Sequence, residues 1–143
     1  LREECGFPGM KIVQFLLAPN ESGRVGFTVP ENSIVYTGTH DNNTTVGWFK
    51  RDIDEVLRET LANITGTTSD RPRTICKRLI KKAYASRARM AIIPMQDLLA
   101  LDERARMNTP GTVGINWRWS LKKDYLLELD PKKLQALCMR YHR

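Results

Sequence analysis

Three short apolar runs punctuate the chain: Met10–Ala18 (MKIVQFLLA), Ser33–Gly38 (SIVYTG) and Arg89–Met95 (RMAIIPM). Turn-forming residues flank the first, GFPG before it and PNESG after it. All three are near-continuous rather than alternating, the pattern of strands covered on both faces in a parallel sheet. Between the second and third runs the period lengthens to 3.6. Val46, Phe49, Ile53, Val56, Leu57, Thr60, Leu61 and Ile64 predict one amphipathic helix, with Asn43 to Thr45 as caps and Gly66 as its stop. Ile75, Leu79 and Ala83 predict a second, starting near Ser69 or Asp70 with Pro72 in its first turn. A short helix is expected at QDLLAL after the third strand, then a loop over residues 102–119. The chain closes on a helix capped by Asp130, with Pro131 at its first position. Residues 1–6 read as a helix end closed by Gly6.

Strand, loop, strand, helices, strand, helix is an α/β order with crossover connections. Three parallel strands are few for a complete α/β domain. They imply either two bare sheet edges or membership of a larger sheet. The opening LREECGFPGM does not start with Met, has no basic segment and no apolar leader, and reads as the interior of a longer chain. No apolar run approaches the roughly 18–20 residues of a membrane helix, so no membrane association is expected.

Composition adjusts this picture in two ways. Cys5, Cys76 and Cys138 are odd in number and widely spaced, which argues for free thiols, a reducing and hence cytoplasmic setting, and no zinc site. The net charge of +7 is concentrated in Arg71–Arg89 and in Lys132, Lys133, Arg140 and Arg143. A basic chain can bind nucleic acid. Here the first basic run alternates with the apolar positions of a helix, as on a solvated helix face, and no nucleic-acid motif accompanies it. No nucleic-acid partner is therefore expected; a basic nucleic-acid-binding domain is a distant alternative.

Sites in α/β sheets form at the carboxyl ends of the strands. Most acids fall on predicted helices and drop out. Asp41 follows the second strand and Asp97 the third. Asp97 is read as structural, capping its own helix or complementing its dipole. Asp41 stands in YTGTHDNNTTVGW, where Asn42 to Thr45 are all able to cap, so the cap does not require a His-Asp pair. His40 alone is a weak signal, with no second His or Cys beside it for a metal. No nucleotide loop or nucleophile elbow is present, and no cofactor is expected. Phe15, Trp48, Trp117 and Trp119 offer aromatic faces suited either to sugar rings or to a core. Arg106 and Asn108 supply donors in the loop after the third strand.

The strings GFPGMKIVQF, VYTGTHDNNTTVGW and ARMNTPGT…NWRW resemble the 4-α-glucanotransferase family (amylomaltase or disproportionating enzyme, of the α-amylase superfamily), and they resemble its C-terminal portion. The resemblance implies that residues 1–143 are the C-terminal part, about strands six to eight with their helices, of a (β/α)8 TIM barrel catalytic domain. It implies transfer of α-1,4-glucan segments between maltodextrins, with a retaining mechanism and no metal. Asp41 then matches the family's transition-state-stabilising Asp. His40, Phe15 and Asn108 match its sugar-contacting residues. The family's nucleophile and its acid/base, in an AEDLG-like stretch, have no match here, so the chain alone is expected to be inactive. Its expected partners are the glucan and the remainder of the barrel. The stretch LLAPNESGRVGFTV departs from the family pattern, lacking an acidic residue to match the one the family has near Pro19. The alternative is a glucan-binding or assembly module without chemistry of its own, and self-association of such a fragment is expected.

Overall fold

The computed structural model describes residues 1–18 and 26–143. The turn expected at PNESG and the departure from family pattern near Pro19 lie outside the described residues.

Strands β1 (Gly9–Ile12), β2 (Ser33–Tyr36) and β3 (Met90–Ile92) form a parallel sheet in the order β1-β2-β3. The register aligns Met10 with Ile34 and Met90, and Ile12 with Tyr36 and Ile92. Those six share one face. On the other face Val35 is fully buried against the helices.

The first strand is shorter than its apolar run suggests. Helix α1 (Val13–Leu16) takes over at Val13. This single turn puts Val13 and Leu17, four residues apart, into the core and leaves Phe15 outside, 65% exposed. Phe15 therefore sits on a helical turn and not on the strand. Gln14 fixes the turn, donating from Nε2 to Asn43 O at 2.9 Å.

The helix expected over residues 46–64 is two helices, α2 (Thr45–Arg51) and α3 (Glu55–Thr65). Asp54 divides them, its carboxylate accepting from Leu57 N at 2.8 Å as an N-cap. The bend leaves Val56 exposed although it fits the apolar period. Gly66 ends α3 in the left-handed region, φ 65°, where a Cβ would be disfavoured. Helix α4 (Pro72–Ala85) starts at Arg71 with no side-chain cap, instead of at Ser69 or Asp70. Ile75, Leu79 and Ala83 are buried as its pattern predicts. They pack with Val35, Trp48, Phe49 and Leu61 into one core between the sheet and α2–α4. Burying one such aliphatic side chain contributes about 1.5–3 kcal/mol.

After β3 come the short α5 (Met95–Leu98), a 3-10 turn at Glu103–Ala105, an unanticipated α6 (Lys123–Glu128), and α7 (Pro131–Arg140). Asp130 caps α7 as expected, accepting from Lys132 N and Lys133 N. Arg143 ties this end down. Its guanidinium donates to Tyr84 O, Ser86 O and Ala88 O at 2.7–2.8 Å.

The continuous apolar runs suggested strands covered on both faces. Only one face is covered here. Met10, Met90 and Ile92 lie exposed on the other, because no element among the described residues packs over it. Among the described residues no helix is long and apolar enough to cross a membrane.

Candidate functional site

The chain leaves β2 through a tight turn that hydrogen bonds define. Asn42 Oδ1 accepts from Thr39 N (2.9 Å) and Thr39 Oγ1 (2.7 Å), and Asn42 N donates to Thr39 O (3.2 Å). His40 and Asp41 ride at its tip with about half of each side chain exposed, Nε2 standing 3.3 Å from Oδ2. Thr44 then starts α2 as the N-cap, accepting from Gly47 N at 3.1 Å. Asp41 has no part in that cap.

The loop after β3 closes on this turn. Asn108 Nδ2 donates to Asp41 Oδ1 at 2.6 Å, and Asn108 N donates to His40 O at 3.0 Å. Arg106 clamps both backbones, donating to Asp41 O (2.7 Å) and Asn108 O (2.8 Å). The Trp117 ring lies 5.1 Å from the imidazole at a 38° tilt. Trp117 adopts φ 63°, a conformation disfavoured for a bulky residue, and its N–H is held to Met107 O at 2.7 Å. The loop thus holds strain beside His40. The Asp41 carboxylate keeps acceptor capacity for hydroxyl groups of a ligand, since an ionised carboxylate has about four lone-pair sites.

These residues edge a cleft of about 770 Å³ at the carboxyl ends of the strands. Ile12, Phe15, Tyr36 and Ile92 give it apolar walls, and His40 and Asp41 line its polar side. Phe15, His40 and Asp41 therefore share one cleft, and Asn108 joins them through Asp41. Trp48 is a core residue. Trp119 lies in a different cleft.

Asp97 also borders the cleft, but its carboxylate is engaged. It is 2% exposed and accepts from Thr37 Oγ1 (2.6 Å), Thr45 N (2.8 Å) and Thr45 Oγ1 (2.8 Å). Burial pushes its pKa up, and these three hydrogen bonds oppose the shift. Its role is structural, as its position suggested, but the helix start it satisfies is that of α2 and not its own. Cys76 donates to Asp97 O at 3.3 Å, and burial pushes this thiol well above its ordinary range, which keeps it unreactive.

A family model described as 4-alpha-glucanotransferase matches residues 1–126. The chain belongs to the 4-alpha-glucanotransferase family. A 4-alpha-glucanotransferase of Streptococcus pneumoniae serotype 4 is 44% identical over 144 residues, covering 100% of this chain and 28% of that protein. One from Aquifex aeolicus is 40% identical over 125 residues, covering 87% and 25%. Among solved structures, amylomaltase from Streptococcus agalactiae in complex with acarbose superposes with a TM-score of 0.85 at 33% identity, covering 99% of this chain and 28% of that one. The chain thus spans about a quarter of the length of the relatives it matches.

The matches, over 25–28% of these relatives, do not show the C-terminal placement expected from the motifs. That placement, and the numbering of the strands as six to eight, is withdrawn. What stands is an α/β segment of a 4-alpha-glucanotransferase with a small parallel sheet, similar to amylomaltase. Sequence reasoning named the His-Asp pair, Phe15, Arg106 and Asn108. It did not find the Asn42 turn, which is local, nor the Trp117–His40 contact and the Asp97 network, which bring together residues far apart in sequence.

Proposed function

We propose that the full-length protein carrying this chain transfers α-1,4-glucan segments between maltodextrins by a retaining double displacement. The observation that carries the reading is the Asp41 carboxylate, positioned by Asn108 beside His40, on a cleft walled by Phe15 and Tyr36. The transition state of glycosyl transfer gains oxocarbenium character. A half-exposed carboxylate held by the scaffold offsets that charge and accepts hydrogen bonds from sugar hydroxyls. Phe15 offers a ring to the apolar face of a sugar. His40 and Asn108 place donors beside the same carboxylate. The relatives' names and the acarbose complex of the amylomaltase support a glucan as the ligand.

Retaining chemistry needs two carboxyl groups roughly 5–5.5 Å apart, one attacking and one protonating. Among the described residues, the acids lining this cleft are Asp41 and Asp97, and Asp97 is buried and engaged by three donors. The nucleophile and the acid/base are therefore assigned to the rest of the protein. In this reading β1–β3 form an arc of a (β/α)8 barrel. Their bare face looks into the barrel and their edges pair with its other strands.

The test is disproportionation of maltotriose. The full-length protein is expected to yield glucose together with longer maltodextrins. The 143-residue chain alone is expected to release no glucose above a blank, acting at most as a binding or assembly module. A full-length protein that leaves maltotriose unchanged contradicts the reading, and so does turnover by the chain alone.

A further inference from the structure

A second cleft, of about 940 Å³, lies on the far side of the Glu103–Ala105 turn. Ala105 lines both clefts. Six cationic side chains border the second one: Lys50, Arg71, Arg73, Arg104, Arg118 and Lys122. Among the described residues its single carboxylate is Asp102, which the Arg104 guanidinium engages at 2.9–3.0 Å and holds below the usual carboxylate range. Helix α4 begins at this cleft without a side-chain cap on its first turn, which adds a positive dipole end. Trp119 and Tyr125, both half-buried, supply apolar ring surface. A concave site walled by one sign of charge concentrates ligands of the opposite sign. Guanidinium groups match phosphate oxygens two at a time.

We propose that this second cleft binds a phosphorylated saccharide, the phosphate among the arginines and the sugar ring against Trp119 and Tyr125. The saccharide half of the proposal rests on the glucan reading of the neighbouring cleft. The phosphate half rests on the cations alone. The site also has a physical route to the first cleft. Arg104 lines the second, Arg106 clamps Asp41, and only Ala105 separates them in sequence.

Calorimetric titration of the full-length protein with glucose 6-phosphate, inorganic phosphate, glucose and a single-stranded oligonucleotide tests the proposal. Glucose 6-phosphate is expected to bind saturably and more tightly than the other three. Replacing both Arg73→Gln and Arg118→Gln removes two charge-assisted partners and is expected to weaken it by about tenfold or more. Neither arginine belongs to the Asp41 cleft, so the same variant is expected to disproportionate maltotriose normally. Trp119→Leu is expected to bring glucose 6-phosphate down to the affinity of inorganic phosphate. The proposal is overturned if glucose 6-phosphate gives no saturable heat, if phosphate or the oligonucleotide binds as tightly, or if the double variant binds unchanged. Failure of the unsubstituted protein to act on maltotriose sinks the glucan reading separately, because the titration is read without turnover.

Discussion

At Asp97 a carboxylate is removed from water and given three donors in exchange, from Thr37 and Thr45. Burial outweighs those donors and raises its pKa. An acid whose folded value exceeds its unfolded one binds its proton more readily when folded. Its contribution to stability is full below the ordinary aspartate value of about 3.9, and is lost as pH rises through the folded value. Asp97→Asn removes that titration. The melting temperature of the full-length protein minus that of this variant is expected to shrink as pH rises from about 4 to 7. Thermal melts across that range check it, and a difference that widens with pH contradicts it. Asp97→Ala leaves the three donors short and costs about 1–3 kcal/mol for each one left unsatisfied. Asp41 and Asp97 occupy equivalent places after parallel strands, and the sequence put Asp41 forward as the functional candidate for a local reason. Asp41 sits in a turn rich in other caps, and Thr44 caps α2 in its place. What Asp97 does was hidden, because Thr37 and Thr45 lie 60 and 52 residues away from it.

Elements were legible where their determinants are local. Gly66 and Asp130 each end or begin a helix through contacts within four residues, and both positions read correctly. The Asp54 cap was equally local but was outweighed by an unbroken 3.6 period across residues 46–64. The bend becomes visible only when Leu57 N is seen to bond Asp54. The run MKIVQFLLA was ambiguous in kind, since a short apolar stretch suits a buried strand and a helical turn alike. Gln14, reaching 29 residues along the chain to Asn43 O, goes with the helical turn. That choice matters for the site, because the turn carries Phe15 out of the core and onto the cleft wall. The Arg143 clamp on the end of α4 left no trace in the sequence pattern. It joins the last residue to carbonyls 55–59 positions earlier.

At the scale of the molecule, the three-stranded sheet of the described residues has two edges, β1 and β3, and one apolar face that no other described element covers. Open edges and bare apolar faces favour association with other chains. The charge of +7 opposes association, but salt screens it within about 10 Å at 0.1 M. At that ionic strength the isolated 143-residue chain is expected to sediment as more than a monomer. A monomeric mass in analytical ultracentrifugation, with a sharp cooperative melt, contradicts this. The number of strands anticipated bare edges or a larger sheet, whereas the continuous apolar runs suggested cover on both faces. The extent of the cleft was not legible, since its walls come from β1, α1, β2 and the loop after β3 together.

The central claim is that the charge on Asp41 works in the transition state. Thr44 and not Asp41 caps α2, and Asn keeps the shape of Asp, so Asp41→Asn in the full-length protein separates chemistry from folding. Two hydrogen bonds to a charged group, felt mainly in the transition state, amount to about 3–6 kcal/mol, or on the order of 10²–10⁴ in rate. Steady-state kinetics on maltotriose are expected to show kcat lowered by about that factor, with KM and the melting temperature changed little. A kcat within about threefold of the unsubstituted protein, a difference of under 1 kcal/mol, contradicts the account and removes Asp41 from the site.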